Sequence, residues 1–253
     1  MKTKPEQPGD LNGDGEVNGT DLVSAATLIL EAKYEKAVDM NNDGVVNGTD
    51  YVLLVNKILN ISAAAERRAS ANRAATEANL SIEDFTINAG ETKEMLIDLT
   101  NPDTQLTLVQ FDMRLPEGLS IAIEDGELAI DIAGRTTWKK HSLNANATDG
   151  ITRFLLASST NALISGTSGA IISVKLTASS SFSGGDIKLE KQLLVTPSAE
   201  ETKPADYTYT VTTTGIDTVH SSQSIVAIRW TAASCKACLR RRACTLSMAV
   251  RSW

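Results

Sequence analysis

The chain has 253 residues, a formal net charge of −7 and a 42% hydrophobic content, with aromatic residues at only 4%. An acidic balance of this size argues against a nucleic-acid partner, and no apolar run is long enough to span a bilayer. The charge is unevenly spread. Six of the 24 basic residues lie at or beyond Arg229, which leaves 18 against 31 acidic side chains before it. All three cysteines, Cys235, Cys238 and Cys244, also fall in that last stretch, and a cysteine-free body suits an exported protein without requiring one.

Met1 to Pro8 has a basic start with no apolar segment behind it, so no signal peptide is read there. The expectation is a truncated or mis-started piece of a longer protein, secreted or held at the cell surface, with residues 1–8 unstructured. An internal repeat follows at once. The segment DLNGDGEVNGTDLVSAATLIL from Asp10 is echoed, 29 residues on, by DMNNDGVVNGTDYVLLVNKIL from Asp39, with twelve of 21 positions identical. The identities concentrate in two twelve-residue loops, which implies side chains fixed by chemistry.

That chemistry is calcium ligation. Calcium takes six to eight hard oxygen donors, and an EF-hand loop supplies them from positions 1, 3, 5, 7, 9 and 12. Here those positions are Asp10, Asn12, Asp14, Glu16, Asn18 and Asp21 in the first loop. In the second they are Asp39, Asn41, Asp43, Val45, Asn47 and Asp50. Position 7 contributes its main-chain carbonyl, so Glu16 and Val45 serve equally. Gly15 and Gly44 stand where the loop must turn sharply. Two ions are expected, one per loop.

Too few residues precede Asp10, and Pro5 and Pro8 are among them, for the entering helix of an EF-hand. After each loop a helix is expected. Asp21–Glu31 carries Leu22, Ala25, Ala26 and Ile29 at helical spacing, and Asp50–Asn60 carries Val52, Val55 and Leu59. Loop then helix, twice, with Asp at position 12, resembles the dockerin family over residues 9–60. The resemblance implies a pseudo-two-fold pair of calcium motifs that docks to a cohesin module of a partner protein. It places recognition on loop positions 10 and 11 and the following helix, here Gly19-Thr20 and Gly48-Thr49. Near-identical faces imply binding in either of two orientations. The Gly-Thr pairs also suit plain helix N-terminal chemistry.

Residues 61–79 read as an Ala-rich linker with no large apolar side chain in the stretch from Ser62 onward. From Leu80 the pattern turns to period-two alternation: Met95, Ile97 and Leu99; Val109, Phe111, Met113 and Leu115, with Gln110, Asp112 and Arg114 pointing away; Ile172, Val174 and Leu176; Ile187 and Leu189; then Tyr207, Tyr209 and Val211. Turn residues such as Pro116-Glu117-Gly118 and Asp149-Gly150 punctuate it. About nine strands over residues 80–214 predict an all-β antiparallel sandwich, so the chain is multidomain, small all-α and then all-β. The order of LSIEDFTINAGETKEMLIDLTNP, LTLVQFDMRLPEGLSI and SGTSGAIISVKLTA resembles cohesin-like jelly rolls, which share their architecture with some carbohydrate-binding modules. Three uses stay open for the sandwich: receiving dockerins, binding polysaccharide, or acting as a structural spacer.

No catalytic constellation is visible, and the chain is read as not an enzyme. His141 and His220 lie far apart, no Ser has a glycine elbow, and acid pairs such as Glu124-Asp125 fall in a turn. Trp138, among Arg135, Lys139, Lys140 and His141, suits contact with a sugar or a partner, or an exposed strand edge guarded by lysines. In the tail, 215–253, a lone CxxC at Cys235 and Cys238 is a weak metal or redox signal. Read with a shift of two bases and permissive codon choice, Ala227–Trp253 opens into a strand-and-turn pattern, so an out-of-frame, unstructured end is expected. The function implied is a non-catalytic adaptor of an extracellular, cellulosome-like polysaccharide-degrading assembly. The alternative is an accessory C-terminal fragment of a secreted glycoside hydrolase, or a carbohydrate-binding surface protein.

Overall fold

Two asparagines start the two helices. Asn18 is the N-cap of α1 (Gly19–Leu30) and Asn47 the N-cap of α2 (Gly48–Ile58). Each accepts a hydrogen bond from a first-turn amide through its side chain, while Asp21 or Asp50 reaches back to the cap's own N–H. This reciprocal capping box satisfies donors that the helix leaves open. Leu22, Ala25 and Ile29 of α1 pack with Val52 and Val55 of α2 in one apolar cluster, whereas Leu59, expected on that face, lies past the helix and is 40% exposed.

The computed structural model describes residues 7–61 and 78–213, all within one compact unit, Met1–Thr214. Of the segments expected to lack structure, residues 1–6, most of the Ala-rich linker and the tail lie outside the described residues, while Pro8 is described in a turn closed by the Asp10 N–H on the Gln7 carbonyl. Thirteen strands follow the helices: β1 (Asn79–Ile82), β2 (Thr92–Thr100), β3 (Leu108–Arg114), β4 (Leu119–Ile121), β5 (Ile123–Glu124), β6 (Glu127–Leu128), β7 (Ile130–Ile132), β8 (Ser142–Thr148), β9 (Ile151–Ala157), β10 (Ala170–Ala178), β11 (Gly185–Val195), β12 (Glu201–Thr202) and β13 (Tyr207–Val211). The surplus over nine comes from two- and three-residue pieces too short for alternation to reveal.

One sheet runs β1-β2-β10-β4 with β7 also on β10, and the other runs β12-β11-β3-β9-β8 with β13 also on β11. Every strand pair in the two sheets is antiparallel. Their facing sides enclose a core in which Phe111 and Phe154 stack at 4.8 Å beside Met95, Ile97, Val174 and Leu189. The Trp138 group is not a strand edge. It lies in a turn, with Trp138 60% exposed and its indole N–H on Asp131. Of its neighbours, Lys139 and Lys140 are exposed, whereas His141 is buried and the Arg135 guanidinium is spent on Leu99, Asn101, Ser165 and Gly166. No helix among the described residues is long and apolar enough to cross a membrane.

Candidate functional site

The two loops repeat one pattern of side-chain oxygens turned onto their own amides. In the first, Asp10 accepts from Gly15 N–H at 2.9 Å, Asn12 from Asp14 at 2.9 Å, and Asp14 from Glu16 at 2.8 Å. Asp21 closes the loop by accepting from Leu11 at 2.8 Å and Asn18 at 2.9 Å, one on each oxygen. In the second, Asp39 accepts from Gly44 at 3.1 Å, Asn41 from Asp43 at 3.0 Å, and Asp43 from Val45 at 2.8 Å. Asp50 accepts from Met40 and Asn47, each at 2.9 Å. Gly15 and Gly44 take φ of 97° and 84°, a region other residues enter at a cost. The side chains of Glu16 and Val45 face solvent.

Among the described residues, no three His, Cys, Asp or Glu side chains are gathered tightly enough to chelate an ion alone. The donor set is instead mixed, carboxylate with amide and main-chain oxygen, the hard-oxygen chemistry that suits calcium. Asp21 and Asp50 are fully buried, and neither forms an ion pair among the described residues. Burial pushes the Asp50 carboxyl up to about 6 although the amides of Asn47, Met40 and Asn41 pull it down. A buried carboxylate without a cation is costly, and each accepting oxygen keeps a second lone pair. The loops therefore fit a bound cation.

Residues 8–59 match the dockerin type I domain. Dockerin domains bind calcium and are non-catalytic. No curated protein matches the chain. Among solved structures it is similar to a cohesin module from the Clostridium perfringens family 33 glycoside hydrolase, at 15% identity and TM-score 0.43, covering 54% of this chain and 95% of that one. It is similar to the sixth cohesin of Acetivibrio cellulolyticus scaffoldin B, solved in complex with a Cel5 dockerin, at 16% identity, TM-score 0.44, and 55% and 99% coverage. A non-cellulosomal cohesin from Archaeoglobus fulgidus aligns at 10% identity, TM-score 0.42, and 55% and 93% coverage.

The dockerin sits on the outer face of the β8–β9–β3–β11 sheet of its own chain. Leu108, Leu155, Ala157, Leu193 and Val195 of the sheet join Leu22, Ile29, Tyr51, Val52 and Val55 in one buried cluster. Gly48 donates its N–H to Gln110 Oε1 at 2.8 Å, and Thr49 donates its hydroxyl to Glu201 at 2.5 Å. Asn56 donates to the Pro197 carbonyl and accepts from Asn161, both at 2.8 Å. Arg153 grips Asp112 through two nitrogens, at 2.6 and 2.9 Å, and donates a third bond to the Ile29 carbonyl at the end of α1. Burial alone would raise the Asp112 carboxyl, yet Arg153 and Lys191 outweigh it and hold it below the ordinary carboxylate range. A cleft of about 350 Å³ at this seam is lined by Lys33, Tyr34, Asn47, Gln110, Arg153 and Lys191. Its cations are already engaged, two by Asp112 and Lys33 by Glu31.

The four expected recognition residues are therefore split. Gly48 and Thr49 are buried against the sheet, while their repeat mates Gly19 and Thr20 are exposed. Gln110 and Asp112 do point away from the core, as the alternation implied, but not into water: Gln110 accepts from Gly48 of the dockerin, and Asp112 is buried on Arg153 and Lys191. Sequence reasoning missed this sheet face and its residues Leu108, Gln110, Arg153, Asn161 and Glu201. A signal was there: Phe154-Leu155-Leu156-Ala157 and Leu193-Leu194-Val195 are unbroken apolar runs, the mark of a strand covered on both sides.

Proposed function

We propose that this chain is a non-catalytic, calcium-dependent docking protein of an extracellular polysaccharide-degrading assembly, its dockerin engaging a cohesin module through the Gly-Thr faces. The observation that carries the reading is the twin loop geometry. Two copies of one oxygen set each end on the aspartate that also caps the helix bearing the Gly-Thr pair. Asp10, Asn12, Asp14, Asn18, Asp21 and the Glu16 carbonyl would hold one ion. Asp39, Asn41, Asp43, Asn47, Asp50 and the Val45 carbonyl would hold the second. Bound calcium supplies the charge that offsets clustered carboxylates, so it fixes the loop, and the loop fixes the start of the helix. Gly19-Thr20 and Gly48-Thr49 place small side chains at those starts, which lets a backbone or side chain approach closely; Gly19-Thr20 is the exposed pair, and Gly48-Thr49 lies against the chain's own sheet.

Calorimetric titration of the full chain with calcium tests this. Two ions per chain are expected, and Asp10→Ala or Asp39→Ala should each remove one. Absence of binding in the wild-type chain would sink the assignment, and retention of two ions in either variant would sink the ligand set.

A further inference from the structure

One half of the dockerin's duplicated surface is already taken. The Gly48-Thr49 start of α2 is buried on the sandwich, with hydrogen bonds to Gln110 and Glu201. A Cβ on Gly48 would stand 2.3 Å from Leu108 Cδ2, closer than any real contact, whereas one on Gly19 would meet nothing within 4 Å. Position for position the two sites are alike in sequence and capping, so what separates them is the sheet beneath the second. That sheet is equally committed. Leu108, Leu155, Leu193 and Val195, four apolar side chains on an outer face, are covered by the dockerin. At one edge of this seam Arg153 reaches from its buried partner Asp112 to the end of α1, and at the other Asn56, Asn161 and the Pro197 carbonyl form a closed triangle. The seam is apolar at its centre and polar at its rim, the anatomy of a specific interface.

We propose that the dockerin and the sandwich of this chain form an intramolecular clamp that closes the second Gly-Thr face and the outer sheet face to outside partners until it opens. The proposal rests on the reading of the Gly-Thr pairs as docking surfaces. Its occupant is the chain's own other half, joined through residues 62–77, and tethering over a short connection sets an effective concentration on the order of millimolar. An interface that would bind at ~1 μM between separate molecules is then closed by ~1,000 to one. A competitor for either face is weakened by the same factor. The exposed Gly19-Thr20 face carries no such handicap, so the two faces are unequal in the intact chain although equal in sequence.

The test compares full-chain Gly48→Arg with Gly19→Arg in saturating calcium, reading the methyl NMR resonances of Leu108, Leu155, Leu193 and Val195 and the radius of gyration by solution scattering. Gly48 does not have a positive φ, so arginine is tolerated by its own backbone but not by Leu108. The expected result is that Gly48→Arg moves all four residues' methyl signals and expands the chain, while Gly19→Arg leaves both at wild-type values. Leu108→Glu attacks the clamp from the sandwich side and should reproduce the opened state with the dockerin sequence intact. It decides the matter if Gly48→Arg loses helix by circular dichroism. Unchanged methyl signals of Leu155, Leu193 and Val195 in both Gly48→Arg and Leu108→Glu overturn the proposal. So does a wild-type chain that sediments as a dimer and becomes monomeric on Gly48→Arg, since the clamp would then join two copies. Calcium stoichiometry and capture of a purified cohesin module, measured on the same samples, separate the two readings: a chain that keeps two ions and binds the cohesin but shows no opening fails the clamp alone, whereas one that binds no cohesin, clamp opened or not, fails the docking reading beneath it.

Discussion

Leu108→Ala should destabilise the sandwich strongly in calcium and hardly at all in chelator. Leu108 is fully buried, but by the dockerin and not by the sandwich core. Truncating a buried leucine costs about 2–5 kcal/mol, more where the surroundings cannot collapse into the hole. The atom facing Leu108 is the Gly48 backbone, locked by the Asn47–Asp50 capping box with no side chain to swing inward, so about 3–4 kcal/mol is expected. At roughly 2–4 °C per kcal/mol for a domain of this size, the thermal midpoint falls by roughly 6–16 °C. Without calcium the dockerin no longer covers the residue, and the cost should drop below about 1 kcal/mol, as for a surface site. Met113→Ala, on the same strand but facing the core, is the control and should cost about 2–5 kcal/mol in both conditions. Urea denaturation followed by circular dichroism, with calcium and with EGTA, gives all four values. A Leu108→Ala penalty that survives EGTA undiminished would refute the reasoning, since Leu108 would then be buried by something other than a calcium-held dockerin.

Asp10→Ala combined with Asp39→Ala should abolish the helical signal of the dockerin, and native, calcium-insensitive circular dichroism in that double variant would defeat the coupling of metal to folding. Arg153→Gln leaves Asp112 buried with Lys191 alone and should cost about 2–4 kcal/mol at neutral pH in urea melts, with Asp112→Asn in the same chain recovering most of it. Because the folded Asp112 carboxyl lies below its ordinary value of 3.8, the stability it contributes is complete above that value. It is lost as pH falls through the lower folded one, so Asp112→Asn should flatten the acid limb of the profile. Burial pushes the His141 imidazole down from 6.5, and its folded state therefore favours the neutral ring. Stability should be full above that value and decline as pH falls below it, and His141→Gln should remove the decline. Asn56→Leu strips the bonds to Pro197 and Asn161 and should cost about 1–3 kcal/mol in the same urea melts, again only in calcium.

The calcium loops were legible because their chemistry is local. Asp10 to Asp21 and Asp39 to Asp50 close their side-chain-to-amide bonds within twelve residues, so spacing alone carries the geometry of the repeat. The core faces of β2 and β10 were legible for a similar reason, since alternation survives wherever one side of a strand is wet, and that of β3 was legible because its covered side carries the polar Gln110 and Asp112. The clamp was not, because it joins residues as far apart as Thr49 and Glu201 and no period links them. Where both sides are covered, as in β9 and the end of β11, alternation vanishes. In β11 an irregularity between Glu190 and Leu193, at Lys191 with φ of 49°, also shifts the parity of the strand. Leu189 therefore faces the core while Leu193, an even number of residues on, faces the dockerin, a switch that only the pairing partner shows.

The seat of α2 also orders events as the chain folds. Each loop closes over about ten residues and forms quickly once calcium is present, whereas the sheet beneath must pair β3 with β9 and β11 across long stretches of chain. Leu108, Leu155 and Leu193 come from those three strands, so no seat exists until the last of them is in register. Contact order therefore favours closure of the loops before completion of their seat, and α2 can dock only on a sheet whose three strands are already paired.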